Sequence, residues 1–450
     1  MEYTSNDSTQ PNPPRRRRKR TMWQNFKEAY LPVIIVAVVV VLIISFIVGS
    51  VARANEDRNE STEPSGQTNQ DQAALLQQEA DTLMAQAAKL AATFDYAGAI
   101  DALNSFSGDL SAISGMKEKY DEYCDSYARL IPYTDVANIP HLSFNTLMAD
   151  VTLAQKHGEK GDLYSRNHVT TDEFSAILQK LYDGGYILVS VHDLAQKVTA
   201  EDGTVTMTAG KLYLPEGRKP ITLTLTDANY DTDMASAGSG FASRLIVDVS
   251  GCLANEMINQ DGTTVTGSFD FIPILSDFVR EHPDFSYHGA KATIAVAGHD
   301  GIFGYATASE AASVIETVKA DGYDFACYTY DNLEYGNLTA PEIKADLLLW
   351  AAQIAPALGE VDILMYPYGS DFTEDTSYTG EAYQEIKSNG LYYLIGTDTA
   401  TAAWGDINES FMLQTRRWVN GTNLAYRGER FQDLFDASAV IASLRTTVPQ

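Results

Sequence analysis

The sequence predicts an α/β fold in which strands and helices alternate and a parallel sheet closes into an irregular barrel of (β/α)7 type. One observation is a buried strand, residues 219–230 (KPITLTLTDANY), which alternates β-branched residues and then ends in polar ones. The other is the downstream alternation of short apolar runs with stretches at helical spacing, which indicates crossover helices between parallel strands. In such folds ligands bind at the carboxyl ends of the strands, so the polar end of residues 219–230 is where a site is expected.

The N-terminal residues predict a membrane anchor. Residues 1–30 contain the basic cluster Arg15–Arg20, and residues 31–51 form an apolar run that is long enough to span a bilayer. Basic residues before the run place a short tail in the cytoplasm and the bulk outside the plasma membrane, as a single-pass protein. A cleaved signal peptide is the alternative, because Ala52-Arg53-Ala54 is similar to a cleavage site, but the apolar run exceeds the usual length of about 7–15 residues.

Charge and cysteine content exclude some functions. The whole chain carries −28, and because residues 1–30 hold 7 Lys/Arg and 3 Asp/Glu (+4), the remainder carries −32. Such an acidic surface disfavours nucleic acid as a partner. The three cysteines, Cys124, Cys252 and Cys327, are widely spaced and predict neither a disulfide framework nor a zinc knot.

A linker and a helical spacer follow the anchor. Residues 52–70 are polar and without apolar periodicity, which predicts a disordered linker. Residues 71–131 predict helices at 73–93, 96–106 and 116–130, and FDYAGAIDAL resembles part of a tetratricopeptide hairpin. One repeat buries its own face poorly, so we expect the spacer to pack on itself, on the next domain or on an envelope protein, with structural spacing favoured over peptide binding.

The α/β domain is predicted from residue 139 to residue 450. It begins with an extended segment, a helix at 171–184, a strand at 186–191, a short helix at 192–197 and a hairpin at Asp202-Gly203. After residues 219–230, a long insertion predicts paired strands at 243–249 and 267–275, joined by Asp261-Gly262. The later strands are predicted at 292–298, 323–330, 361–369, 391–398 and 411–417, with helices at 309–320, 341–357 and 381–388 between them.

Six segments, taken in order, resemble the polysaccharide deacetylase family of the NodB-homology type. They are IPHLSFNTL, TTDEFSAILQKLYDGGYILVSVHDL, KPITLTLTDANY, KATIAVAG, VKADGYDFACYTYDN and MYPYGSD, and the resemblance runs from about Ile139 to Leu444. It implies a deacetylase barrel that removes acetyl groups from N-acetylated glycan or peptidoglycan. It also implies a divalent metal, zinc or similar, held by one Asp and two His, with a second Asp as general base and a later His as general acid.

This chain departs from most of those positions. Thr226 stands at the base position, Asp227 keeps the ligand position, and Asn229 replaces a glycine. Tyr328 and Asn332 replace the two histidine ligands. Threonine is no general base near neutral pH, because its hydroxyl does not titrate there.

The histidine count and the third motif also indicate that catalytic residues of the family are missing. His299 is the last histidine of the chain, so the general-acid histidine is missing as well. In the third motif Met365 replaces an arginine, while Tyr366-Pro367-Tyr368-Gly369 survives. The resemblance therefore implies no resident cofactor here, and a divalent metal only if the protein is active.

A replacement metal site is the alternative. Oxygen ligands from Asp227, Asp231, Asp233, Asp331, Asp398 and the pair His299-Asp300 would suit calcium or magnesium better than zinc. The same residues are typical of turns and helix caps, which we favour because no spacing matches a calcium loop.

Aromatic residues give the strongest positive signal. Tyr230, Tyr328, Tyr330, Tyr366, Tyr368 and Trp404 fall at or after predicted strand ends, near the polar residues Asn229, Asn332 and His299. Aromatic faces with polar neighbours bind sugars, although core packing is the alternative for about half of them. The sequence thus predicts a catalytically degenerate protein of the cell envelope that binds cell-wall polysaccharide or peptidoglycan, or scaffolds a partner. An active hydrolase with a metal site rebuilt around Asp227, or a signalling module acting through residues 71–131, is the alternative.

Overall fold

A computed structural model describes residues 65–156, 159–226, 228–299, 301–372, 377–397, 403–442 and 445. The predicted tail 1–30, the predicted membrane helix 31–51 and most of the predicted linker lie outside these residues, as do Asp227, Asp300 and Asp398. Within the described ranges, no helix has the length and apolar character that crossing a bilayer requires. The described residues divide into two units, with the boundary between Leu75 and Leu76.

Three helices form the spacer: α1 (Ser65–Ala92), α2 (Tyr96–Asn104) and α3 (Met116–Ala128). Helix α1 begins inside residues 52–70, the stretch for which the sequence predicts a linker. The Asp95 side chain accepts a hydrogen bond from the Gly98 N–H at 2.9 Å and so caps the start of α2. Ala87, Leu103 and Met116 are fully buried between the helices, so the spacer has a small core of its own.

The spacer also packs on the barrel through the turn between α1 and α2. Phe94 adopts a left-handed backbone (φ 65°) and is 8 % exposed. Its ring lies in the core cluster that contains Val136, Ile187 and Leu194. The His288 N–H donates to the Thr93 carbonyl at 2.8 Å. The sequence allows the spacer to pack on itself, on the next domain or on a partner. In the structure it packs on itself and on the next domain.

Among its described residues, the domain after the spacer contains sixteen short strands and ten further α-helices. The strands are β1 (Ile131–Tyr133), β2 (His141–Phe144), β3 (Tyr186–Leu188), β4 (Ala195–Thr199), β5 (Val205–Ala209), β6 (Leu212–Leu214), β7 (Lys219–Leu225), β8 (Arg244–Val247), β9 (Leu253–Ile258), β10 (Thr264–Gly267), β11 (Thr293–Val296), β12 (Asp324–Cys327), β13 (Ile363–Met365), β14 (Tyr393–Thr397), β15 (Gly405–Ile407) and β16 (Met412–Trp418). The helices are α4 (Val151–Ala154), α5 (Glu159–Asn167), α6 (Thr171–Asp183), α7 (Val191–Leu194), α8 (Phe271–Glu281), α9 (Ala312–Ala320), α10 (Ala340–Gln353), α11 (Ala355–Leu358), α12 (Glu381–Ser388) and α13 (Gly421–Tyr426).

Seven parallel strands close a barrel in the order β2, β7, β11, β12, β13, β14 and β16, with β16 pairing back to β2. Strand β3 pairs in the parallel sense with the first residues of β7, and β15 pairs antiparallel with β16. Separate ribbons are formed by β1 with β6, by β4 with β5, and by β8, β9 and β10. The predicted fold class is confirmed.

Two predicted elements were wrong. The sequence predicts a strand over residues 267–275, but β10 ends at Gly267 and helix α8 begins at Phe271. Phe271, Leu275 and Val279 are all buried, and their spacing of four residues places them on one face of a helix. Burial of this face explains why the segment is a helix and not a strand. The helix predicted at 192–197 ends at Leu194, because residues 195–199 pair with β5.

Alternation along the strands divides the barrel into an outer and an inner face. Leu223 and Leu225 of β7 pack outward against the helices, while Thr222 and Thr224 face inward. The interior is polar along β2, β7 and β16, where buried His141 lies 2.9 Å from Gln414 and 2.6 Å from Thr224. It is apolar along the other strands, which contribute Ala295, Ala297, Ala326, Ile363, Met365 and Ile395.

Candidate functional site

The carboxyl ends of the barrel strands meet at one end, which we call the mouth. Its described residues are 145–146 after β2, 226 and 228–230 after β7, 297–299 after β11, 328–332 after β12, 366–371 after β13, and the end of β16. Parallel barrels bind ligands at this end.

Thr226 links the end of β7 to the end of β2 through its hydrogen bonds. Its hydroxyl lies 2.6 Å from Asn145 Oδ1 and 3.0 Å from the Phe144 carbonyl, and its N–H donates to the same carbonyl at 2.7 Å. The residue is buried. Its neighbour Asp227, the one retained metal-ligand position, lies outside the described residues.

Asn229 holds the loop after β11 in place. Its amide nitrogen donates to the His299 carbonyl at 2.6 Å and also contacts the Gly301 carbonyl. The Gly304 N–H donates to the Asn229 carbonyl at 3.1 Å. Because Asn229 is 2 % exposed, its side chain positions the loop and does not present itself at the surface.

Tyr230 is buried as well, against an unusual carboxylate. Its backbone is left-handed (φ 62°) and its hydroxyl accepts from Asn255 at 3.1 Å. Asp270, fully buried at the start of α8, accepts from the Leu147 N–H at 2.7 Å. Burial raises the pKa of Asp270 to about 6, although hydrogen bonds from Tyr230 and Leu147 act in the opposite direction. Burial, and then the Asp270 charge, raise the pKa of Tyr230 well above its usual value.

The segment after β12 is fixed by a carboxylate of α10. Asp346 accepts from the Tyr330 N–H at 2.8 Å, from the Asp331 N–H at 3.1 Å and from the Tyr335 hydroxyl at 2.7 Å. The Tyr330 ring lies directly over Gly298, where a Cβ atom would come within 1.9 Å of a ring carbon. Glycine at 298 is therefore required for this approach, and Tyr330 is half-buried.

His299 and Asn332, both predicted as binding residues, lie together. His299 Nδ1 is 3.2 Å from the Tyr330 carbonyl, so it donates there, and Nε2 is 3.4 Å from the Asn332 amide nitrogen. Asn332 has a left-handed backbone (φ 52°) and is half-buried. Among the described ranges, no group of three or more His, Cys, Asp or Glu side chains is arranged to hold a metal ion.

Tyr328 contacts a buried arginine that the sequence analysis did not single out. Arg416, 3 % exposed, donates to the carbonyls of Ile395 (3.0 Å), Gly396 (3.1 Å) and Tyr366 (2.9 Å). It is also hydrogen-bonded to the Tyr328 side chain. Burial lowers the pKa of Arg416, while Tyr328 and the Asp371 carboxylate act in the opposite direction. The alternation in MLQTRRW, which puts Gln414, Arg416 and Trp418 on one face, is the signal that could have identified it.

The two tyrosines of the third motif differ in their exposure to solvent. Tyr366 is fully buried and faces the outer core, where its ring centroid lies 6.1 Å from that of Phe372. It therefore offers no open face at the mouth, in contrast to the sequence expectation. Tyr368 has a left-handed backbone (φ 55°) and is 72 % exposed, and Trp404 is 39 % exposed. These two rings, with half-buried Tyr330, are the accessible aromatic groups among the predicted ones.

Comparison with known proteins finds similar solved structures but no matching sequence. No protein-family model matches the chain, and no curated protein sequence matches it. The deacetylase PplD of Streptococcus pyogenes, solved in complex with acetate, is 15% identical, with 66% of this chain and 98% of that chain covered and a TM-score of 0.37. A de-N-acetylase from Aggregatibacter actinomycetemcomitans is 15% identical, with 63% and 95% covered and a TM-score of 0.35.

Proposed function

We propose that this protein is a membrane-anchored, extracytoplasmic, deacetylase-like protein that binds cell-envelope glycan at the mouth and does not hydrolyse it. The observation that carries the proposal is the contact between Arg416 and Tyr328. Tyr328 stands where the resemblance puts the first histidine ligand of a metal. A buried guanidinium, fixed by three backbone carbonyls, therefore lies beside the position where a metal would be bound.

Electrostatics argues against a second cation there. A divalent ion that shared this site with a guanidinium would be repelled by several kcal/mol at an effective dielectric constant of about 20. Neither a phenol nor an amide replaces the lost imidazoles well, because imidazole and carboxylate are the usual ligands of a catalytic zinc ion. Asn332 at the second ligand position and the lack of any histidine after His299 support the same conclusion.

Features of the mouth support glycan binding. Tyr368 presents an open ring, and an aromatic face stacks on the apolar side of a sugar while nearby polar groups take its hydroxyls. Two buried polar atoms, Asn332 Oδ1 and Trp418 Nε1, make no hydrogen bond to other described residues. Trp418 lies on the same face of β16 as Arg416. Buried polar atoms normally have partners, so sugar hydroxyls are suitable ones here.

The location completes the proposal. The basic cluster Arg15–Arg20 and the apolar run 31–51 support a single-pass anchor in the plasma membrane, with the barrel on the outer side. There the available glycans are cell-wall polysaccharide and peptidoglycan.

The test combines metal analysis, an activity assay and glycan binding on the full-length protein in detergent. Metal content and acetate release are measured with added zinc, cobalt or calcium, on acetylated chito-oligosaccharide and on peptidoglycan. We expect no stoichiometric metal, no acetate, and glycan retention that weakens about tenfold in Tyr368→Ala. Tyr213→Ala, which removes an exposed tyrosine of the β1–β6 ribbon, is the matched control and should retain glycan. Stoichiometric metal that disappears in Asp227→Ala, together with acetate release, would instead establish an active hydrolase.

A further inference from the structure

A second concave site lies at the end of the barrel opposite the mouth. It is a groove of about 480 Å³ between the β4–β5 hairpin, helix α10 and the turns that precede β13 and β14. Its walls include Val205 of the hairpin, Trp350 and Ala351 of α10, and Leu391 and Tyr392 before β14. We call it the hairpin groove. Its volume lies within the range of roughly 300–1,000 Å³ that is typical of binding clefts.

Helix α10, which lines the groove, also exposes leucine side chains to solvent. Leu347 and Trp350 of α10 are buried and line the groove, but Leu348 and Leu349 of the same helix are 58 % and 43 % exposed. A surface helix normally places polar residues opposite its apolar stripe, so exposed leucines on α10 depart from that pattern. Leu348 lies three residues before Ala351 on the helix, so it adds an exposed apolar side chain beside the groove.

The rim of the groove is acidic. The Lys197 ammonium group contacts Asp362 at 2.5 Å and Glu360 at 3.1 Å, so one positive charge is shared by two carboxylates. The Glu360 side chain is 86 % exposed and remains available to a further cation. At the tip of the hairpin, Glu201 and Asp202 are also exposed. On the far side of Asp362, His192 pairs with Asp362 at 2.8 Å and with Asp324 at 3.5 Å, so two cations and three carboxylates leave one net negative charge in this cluster.

We propose that the hairpin groove binds an extended basic segment of a partner protein. An apolar side chain of that segment fills the groove among Val205, Trp350 and Leu391, and a neighbouring Lys or Arg pairs with Glu360. A basic partner follows from the acidic rim and from the net charge of −28, since both would repel an acidic segment. The inference does not depend on glycan binding at the mouth.

The test uses two short fluorescent peptides of valine and serine, one carrying lysines and the other glutamates at the same positions. Binding is measured by fluorescence anisotropy with the full-length protein in phosphatidylcholine nanodiscs, and empty nanodiscs serve as the blank. We expect the lysine peptide to bind at least about tenfold more tightly, with an affinity that falls as salt rises.

Two variants locate the binding. Ala351→Trp fills the groove from an exposed position, and Glu360→Lys reverses the charge of the rim; each should weaken the lysine peptide about tenfold or more. Glu281→Lys, the same charge change at the exposed end of α8, is the control and should bind as the parent does. Tyr368→Ala should also leave peptide binding unchanged, which separates this site from the mouth. Equal binding of the two peptides, or parental binding by the first two variants with unchanged circular dichroism, would overturn the proposal.

Discussion

His192 and Asp362 lie 2.8 Å apart, with His192 Nε2 donating to a carboxylate oxygen, and this bond ties helix α7 to the residue before β13. On the other side of the ring, Nδ1 is 3.5 Å from Asp324, the first residue of β12. The Ser190 hydroxyl donates to Asp324 at 2.5 Å. The imidazole therefore joins α7 to two neighbouring barrel strands at the end opposite the mouth.

Stability should depend on pH through His192. Burial alone would lower the pKa of His192, but the hydrogen bonds and charges of Asp324 and Asp362 raise it to about 10. Because the folded pKa lies above the unfolded value of 6.5, the stabilisation is full below pH 6.5 and is lost as pH rises through 10. The side chain is 39% exposed, so solvent screening limits the effect to about 1 kcal/mol.

The measurement compares urea unfolding of the parent protein and His192→Gln from pH 6 to pH 10.5. The difference in the free energy of unfolding should shrink towards high pH. A difference that grows with pH would show that His192 is not charged in the folded state.

Asp270 should give a pH dependence of the same sign as His192, but at lower pH. Its ionised form is destabilised by burial, so the folded state loses stability as pH rises from 3.8 through about 6. Asp270→Asn removes this cost while its amide oxygen still accepts from the Leu147 N–H. We expect the variant to be about 1–2 kcal/mol more stable than the parent at pH 7.5 and equal to it at pH 4. Urea unfolding at the two pH values checks this, and a variant that loses stability only at pH 7.5 would refute it.

The barrel could be predicted from the sequence because strand alternation and strand order are local signals. Residues 219–225 alternate strictly, and the structure confirms a central barrel strand there. The side chains at strand ends could not be assigned in the same way, because their surroundings are set by loops distant in sequence. Asn229 was expected to bind a ligand, yet its partners are carbonyls about 70 residues away.

Tyr366 and Phe94 illustrate the same limit. Tyr366 follows β13 in a motif that suggests a surface, but pleating turns its ring into the outer core. Phe94 is an ordinary apolar residue at a helix end in the sequence, and only the tertiary structure shows it against the core of the barrel. A hydrophobic pattern predicts that such residues are buried, but not against which element.

The buried pair of Glu173 and Arg445 should be essential for stability. Arg445 donates two bonds of 2.7 Å to the Glu173 carboxylate and also bonds the His168 carbonyl, and both side chains are almost fully buried. Arg445→Met leaves a buried charge without its partner, which should cost about 3–5 kcal/mol. Arg280→Met breaks an exposed pair with Asp277 and should cost at most about 1 kcal/mol.

Urea unfolding followed by tryptophan fluorescence measures both variants. Glu173→Gln combined with Arg445→Met should recover part of the loss, since the uncompensated charge is then removed. Equal effects of Arg445→Met and Arg280→Met would contradict the role of burial.

The last prediction concerns zinc binding at the mouth in variants that restore the two histidines. Tyr328→His with Asn332→His restores imidazoles at the two positions that the resemblance assigns to metal ligands. With Arg416 in place we expect this double variant to bind zinc no better than the parent, because the guanidinium repels the ion. Adding Arg416→Gln should tighten zinc binding at least about tenfold, whereas adding Arg416→Lys, which keeps the charge, should not.

Zinc affinity, measured by competition with a chelating dye, distinguishes these variants, and circular dichroism checks that each is folded. If the double variant and the Arg416→Gln triple variant bind zinc equally well, the buried cation is not the obstacle. Asp227→Ala in the triple variant then tests the one retained ligand position. Loss of zinc there would show that Asp227 supplies a metal ligand at the mouth.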